Sequence, residues 1–119
     1  MTVQEDRPIS DRELAVVTWL LKNASVEGAL QQLLGGVAQL RVVGRCGCGC
    51  ASVDFEKDGQ SGRSHPIADA IAETPAGLKC GLILWGRADA VTGLEIYEMD
   101  PGTTNELPSL EMLRPWHAA

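Results

Sequence analysis

Apolar residues near the N-terminus recur at helical spacing. Residues 14–21 are almost continuously apolar, with apolar side chains three and four positions apart, as in a helix that buries one face. The preceding Ser-Asp-Arg-Glu at residues 10–13 has the form of a capping box, in which the Ser10 hydroxyl accepts from the Glu13 N–H and the Glu13 carboxylate accepts from the Ser10 N–H. The pattern predicts a helix that begins after Ser10 and ends near residue 22 or 23.

A second helical pattern covers residues 26–34, whose apolar positions follow the i, i+3, i+4, i+7, i+8 spacing. Ser25 is a suitable N-cap, and the pair Gly35-Gly36 supplies a left-handed residue that can end the helix. Two helices joined by so short a turn are expected to pack as an antiparallel pair.

Beyond the second helix, the period of the apolar residues changes from that of a helix to the alternation of a strand. Residues 38–46 and 51–56 alternate between apolar and polar, and residues 78–87 and 94–99 form a second such pair joined by a turn. The segment 78–87 is apolar on both faces, which predicts a central strand. Residues 65–74 fit either a short helix or an irregular crossing.

Together these segments predict a single α+β domain that spans residues 1–119. Its N-terminal helix pair packs on an antiparallel sheet of about four strands made of two hairpins. A short C-terminal helix or 3₁₀ turn follows near residues 108–113. A chain of 119 residues is long enough for one domain with its own core and short for two.

Composition and charge narrow the function. The chain has 10 basic and 16 acidic residues, a formal net charge of −6 and a sequence pI of about 4.8. Residues 1–45 hold five of each sign, so the whole acidic excess lies in residues 46–119. Nucleic acid and anionic membranes need a basic surface, so neither is expected as the main partner. A docking face for a basic partner and a solvated surface that keeps the protein soluble both stay open.

The sequence carries no segment typical of secretion or membrane insertion. Its longest nearly continuous apolar stretch has eight residues, whereas a membrane-spanning helix needs about 20. The first residues do not combine a basic start with an apolar core, so no signal peptide is predicted. We therefore expect a cytoplasmic protein, in which cysteine thiols stay free or bind metal.

The most unusual chemical feature is Cys-Gly-Cys-Gly-Cys at residues 46–50, which holds three of the four cysteines. Thiolates are soft ligands for zinc, copper(I) or iron–sulfur clusters, and Cys80 would supply a fourth. A fully extended segment would separate Cys46 from Cys50 by about 13 Å, too far for one ion. The intervening glycines permit left-handed turns that fold the segment back. One hypothesis is therefore a zinc-type site formed by Cys46, Cys48, Cys50 and Cys80.

Other interpretations of the same cysteines stay open. The segment lacks the paired C-x-x-C knuckles of common zinc sites, and a buried cysteine also behaves as a small hydrophobic residue in a tightly packed strand junction. A redox role needs a thiol of low pKa, and a C-x-C disulfide closes a small, strained ring. A Cys–His dyad with His65 or His117 would make an enzyme, but the spacing of these histidines does not favour one.

Two stretches carry a resemblance to known sequences. Gly-Arg-Cys-Gly-Cys-Gly-Cys-Ala-Ser-Val-Asp-Phe at residues 44–55 and Leu-Arg-Pro-Trp at residues 113–116 resemble small bacterial proteins gathered in families of unknown function. The resemblance would span most of the chain. It implies a bacterial, cytoplasmic origin, and it implies no activity, substrate or cofactor.

The sequence contains no Walker loop, dinucleotide-binding motif, zinc-protease motif or nucleophile elbow. The leading hypothesis is therefore a non-catalytic binding module, whose partner is another protein or a second copy of the chain, reached through a sheet edge or the acidic face. The alternative is a metal-binding protein of the zinc type. A third hypothesis, a small enzyme with a cleft between the sheet and the loop of His65, needs catalytic groups in one pocket.

Overall fold

More of the described chain is in strands than in helices. The computed structural model describes residues 2–24, 30–56, 64–87 and 89–116. Within these ranges the strands are β1 (Thr2–Pro8), β2 (Arg41–Cys46), β3 (Val53–Asp54), β4 (His65–Glu73), β5 (Lys79–Arg87), β6 (Ala90–Glu98) and β7 (Leu113–Pro115). The helices are α1 (Asp11–Asn23) and α2 (Leu30–Gly36), and 3₁₀ turns cover Val37–Gln39 and Leu110–Met112. The seven strands form one antiparallel sheet in the spatial order β1-β2-β3-β6-β5-β4-β7.

Helix α1 forms where the sequence predicts it. Ser10 Oγ accepts from the Glu13 N–H at 3.1 Å, and Glu13 Oε1 accepts from the Ser10 N–H at 2.9 Å, so the capping box is confirmed. The inner face of the helix buries four aliphatic side chains, which are Val16, Val17, Leu20 and Leu21. Burial of this face, rather than intrinsic propensity, supplies most of the stability of a helix of this length.

The described part of helix α2, Leu30–Gly36, overlaps the second predicted helix. The proposed N-cap Ser25 and the first residues of that prediction lie outside the described residues. Across the described ranges, neither helix combines the length and the apolarity that a membrane crossing needs.

Both predicted hairpin pairings are confirmed. Strand β2 pairs with β3, where Gly44 lies opposite Asp54, and β5 pairs with β6, where Leu84 lies opposite Leu94. Strand β3 also pairs with β6 and thereby joins the two pairs into one sheet. The connection between β2 and β3 is the segment that contains Cys48 and Cys50.

The predicted fold class is nevertheless wrong. The described chain is not a helix pair on a four-stranded sheet, because β1, β4 and β7 extend the sheet to seven strands and the helices are a minor part. Strand β1 reads Thr-Val-Gln-Glu-Asp-Arg-Pro and lies at the sheet edge, where charged side chains and proline are typical. The sequence of β1 lacks apolar alternation. It is held as a strand by its pairing with β2 and by the ion pairs of Arg41 with Asp6 and of Arg45 with Glu5.

Strand β4 occupies the segment predicted to be a short helix or an irregular crossing. Three of its buried residues, Ala68, Ala70 and Ala72, have small side chains, and α1 packs on this strand. Alanine is depleted in strands, so the local pattern indicates no strand. The strand exists because β5 pairs with it along its length and β7 pairs with its second half.

The core lies between the helices and one face of the sheet. Alternate residues of β5 and β6 point into it, and they are Cys80, Leu82, Leu84, Leu94 and Ile96. The residues between them point to the opposite face, where Ile83, Trp85 and Tyr97 are half-buried and lie outside the core cluster. The described chain is therefore a two-layer structure with helices on one side of the sheet.

Candidate metal centre

The segment between β2 and β3 folds back on itself. Cys46 ends β2 and Val53 begins β3. The Gly49 N–H donates to the Cys46 carbonyl at 3.4 Å, and the Cys46 N–H donates to the Ser52 carbonyl at 3.3 Å. Gly49 has a φ of 91°, a left-handed conformation that side chains disfavour, so a glycine at this position allows the reversal.

The reversal brings three sulfur atoms together. The Sγ atoms of Cys46, Cys48 and Cys50 all lie within 4.8 Å of one another, and those of Cys46 and Cys48 are 2.6 Å apart. Cys48 is exposed, while Cys46 and Cys50 are half-buried. We call these residues the thiol cluster. In an extended segment, Cys46 and Cys50 would be about 13 Å apart, at about 3.3 Å per residue. In the folded segment their sulfur atoms are much closer.

Backbone amides point at two of the sulfur atoms. The Cys48 N–H donates to Cys46 Sγ and the Cys50 N–H donates to Cys48 Sγ, each at 3.4 Å. Cys50 Sγ lies 3.4 Å from Ser52 Oγ. These hydrogen bonds tie the two sulfur atoms to the backbone of the same segment.

The rest of the sheet holds this segment in place. Ser52 Oγ donates to the Ile96 carbonyl at 3.2 Å and accepts from the Ile96 N–H at 2.9 Å. The Ala51 N–H donates to the Thr104 carbonyl at 2.8 Å. These contacts fix the end of the cluster segment to β6 and to the chain beyond it. The sequence pattern identifies the cysteines but not Ser52 or Thr104, whose roles depend on tertiary pairing.

The structure places Cys80, the fourth predicted ligand, apart from the thiol cluster. It lies on β5 between Ala72 and Glu98 of the neighbouring strands and is 4% exposed in the hydrophobic core. Burial raises the pKa of the Cys80 thiol, which favours the protonated form that does not ligate metals. Cys80 is not part of the group of converging ligand atoms.

Of the two histidines in the proposed Cys–His dyads, the structure describes His65. His65 begins β4 and lies opposite Gly86 of β5. Ser52, beside the cluster, bonds to Ile96 of β6, and Ile96 lies opposite Leu82 of β5. His65 is therefore three strands away from the cluster connection and displaced along the sheet. His117 lies outside the described residues.

An open groove of about 320 Å³ borders the thiol cluster at Cys50. Arginines line it, but carboxylates compensate two of them. Arg45 Nε lies 2.8 Å from Glu5 Oε1, and Arg7 NH2 lies 2.8 Å from Glu13 Oε2. Arg45 and Arg7 are therefore paired with carboxylates, and Cys50 is the cysteine that lines the groove.

No protein-family model, no curated protein and no solved structure matches this sequence. The function is therefore inferred from the residues of this chain alone.

Proposed function

We propose that this protein binds a metal ion through Cys46, Cys48 and Cys50. The observation that carries the proposal is the mutual approach of their three Sγ atoms to within 4.8 Å. Two sulfur ligands of one tetrahedral zinc ion are about 3.8 Å apart, given a Zn–S bond of about 2.3 Å. The cluster therefore needs side-chain shifts of about one ångström to accept an ion, and no rearrangement of the strands.

The local chemistry supports the same role. Metal binding requires thiolates, and the amides of Cys48 and Cys50 already donate to sulfur atoms. The exposed Cys48 gives an ion access from solvent. The contacts of Ser52 with Ile96 hold the segment, so less conformational freedom is lost on binding. Zinc, with its preference for sulfur and nitrogen ligands, is the first ion to test.

A zinc titration of the reduced protein, followed by native mass spectrometry and competition with a chromophoric chelator, tests this proposal. We expect about one ion per chain, and at least about tenfold weaker binding in each of Cys46→Ser, Cys48→Ser and Cys50→Ser. Cys80→Ala is the matched control, since it removes the remaining thiol and should retain the ion. The proposal fails if the wild-type protein retains less than about a tenth of an equivalent, or if Cys80→Ala, folded by circular dichroism, is the variant that loses it.

The sheet face opposite the helices supports a second candidate, the interaction module. Ile83, Trp85 and Tyr97 lie on this face, and Asp69 and Glu95 lie opposite Ile83 on the two neighbouring strands. Glu95 Oε1 accepts from Trp85 Nε1 at 2.9 Å. Aromatic rings beside carboxylates suit arginine side chains, so we propose a basic peptide segment of a partner protein as the occupant.

An octa-arginine peptide, monitored by tryptophan fluorescence, tests the second candidate. We expect binding that weakens with salt and falls about threefold in Glu95→Gln, the loss of one charge contact. Glu111→Gln, on the exposed 3₁₀ turn, is the matched control and should bind as the wild type does. Equal losses of peptide affinity in Glu95→Gln and Glu111→Gln would overturn this candidate. So would a stable dimer that covers Trp85 and excludes the peptide.

A further inference from the structure

Within the part of the chain that the structure describes, the thiol cluster offers three protein ligands and not four. Among the described histidines, cysteines and acidic residues, the converging group consists of Cys46, Cys48 and Cys50. Cys80 is enclosed in the core on β5. We infer that the site is three-coordinate and binds monovalent copper, Cu(I), in preference to zinc. This inference rests on the proposed function, because it specifies the ion of the same site.

Ligand number separates the two ions. Structural zinc sites take four protein ligands, and a zinc ion with three would need water or an added ligand in the fourth position. Copper(I) is a soft ion that thiolates select, and three sulfur atoms complete its coordination without water. A site with three thiolates, and with no fourth ligand among the described residues, therefore favours Cu(I).

The shape of the cluster also fits a trigonal ion. Three sulfur atoms around one ion in a plane would be about 4.0 Å apart, for a metal–sulfur bond of about 2.3 Å. All three sulfur separations are within 4.8 Å, and the Cys46–Cys48 separation of 2.6 Å would have to widen by about 1.4 Å to reach the trigonal spacing. The ligands come from one short turn rather than from two opposed knuckles.

Charge on the sulfur atoms is offset locally. Cu(I) with three thiolates carries two net negative charges, which need donors nearby. The amides of Cys48 and Cys50 donate to Cys46 Sγ and Cys48 Sγ. These hydrogen bonds lower the cost of the anionic complex.

X-ray absorption spectroscopy of the reduced protein, loaded anaerobically with one equivalent of Cu(I), tests this inference directly. We expect three sulfur scatterers per copper ion in the wild type. Cys50→Ser should give two, together with at least a tenfold loss of Cu(I) affinity against a bicinchoninate competitor. Cys80→Ala, the matched control, should keep three. Cu(I) should also displace zinc from the zinc-loaded protein when the two ions are present at equal concentration.

The outcomes separate this inference from the proposal beneath it. Two or four sulfur scatterers in the wild type, or zinc that Cu(I) does not displace, would overturn the preference for a three-coordinate Cu(I) and leave the metal site standing. If neither ion is retained by the wild type, both the inference and the proposed function are wrong.

Discussion

The guanidinium of Arg7 donates to both carboxylate oxygens of Glu13, at 2.9 and 2.8 Å, and so ties the edge strand β1 to the first turn of α1. Burial by itself would raise the pKa of Glu13. The hydrogen bonds from Arg7 and Ser10, together with the charge of Arg7, outweigh burial and bring that pKa below its ordinary value. The pair therefore stabilises the fold in its ionised form.

Arg7→Ala should destabilise the protein by about 2 kcal/mol, because it leaves the buried Glu13 carboxylate without its cation. This figure is below that of a fully buried pair because the Arg7 side chain is 37% exposed. Urea unfolding measures the effect. Arg41→Ala removes the exposed ion pair between Arg41 of β2 and Asp6 of β1, and it should destabilise the protein by less than about 0.5 kcal/mol. Equal losses in the two variants would contradict a special role for Glu13.

The contribution of Glu13 to the free energy of unfolding should depend on pH. Because its pKa is lowered in the folded protein, its stabilisation is fully present above the ordinary value near 4.5 and is lost as the pH falls through the lower folded value. Wild type should thus be more stable than Glu13→Gln at pH 7, and the gap should shrink toward pH 3. Urea midpoints at the two pH values measure the gap, and a gap that stays constant would count against this assignment.

The ring of Tyr97 lies across Gly81 of the neighbouring strand, so a Cβ atom at Gly81 would overlap the ring. Gly81→Ala should therefore displace Tyr97 and cost about 1–3 kcal/mol. Gly93→Ala, where a Cβ would meet only ordinary contacts, is the matched control and should cost less. In a Tyr97→Ala background the cost of Gly81→Ala should fall, as thermal unfolding of the double variant would show. An unchanged cost in that background would refute the ring as its cause.

Gly49→Ala should weaken zinc binding about fivefold, the equivalent of about 1 kcal/mol, because alanine disfavours the left-handed turn that gathers the sulfur atoms. Gly77→Ala is a close control: this glycine also has a positive φ, and a Cβ there would meet no neighbour. It should lose a similar amount of stability and keep its zinc affinity. Equal zinc affinities in all three proteins would show that the turn does not organise the site.

Local signals predicted α1, since a capping box and an apolar face lie in consecutive residues. Long-range pairing decided the elements that the pattern missed. Strand β1 has few apolar residues and is held by β2, and β4 uses alanines because α1 packs on it. The periodicity of apolar residues along a segment does not show which distant segment pairs with it. The sequence therefore predicted four strands and not the seven that the described chain has.

The thiol cluster was predictable in part. The glycines between the cysteines permitted a segment that folds back, and the segment does fold back. The placement of Cys80 had a readable signal as well, because it alternates with Leu82 and Leu84, which share its side of the strand. The anchoring of the segment by Ser52 to Ile96 had none, since it joins residues 44 positions apart.

The central claim is that Cys46, Cys48 and Cys50 bind one ion together. The most direct measurement is the alkylation rate of each cysteine in the folded, reduced protein, read by peptide mass spectrometry with and without one equivalent of zinc. We predict that zinc slows alkylation of these three thiols together, whereas the buried Cys80 reacts slowly in both samples. Equal rates for the three thiols with and without zinc would contradict the account.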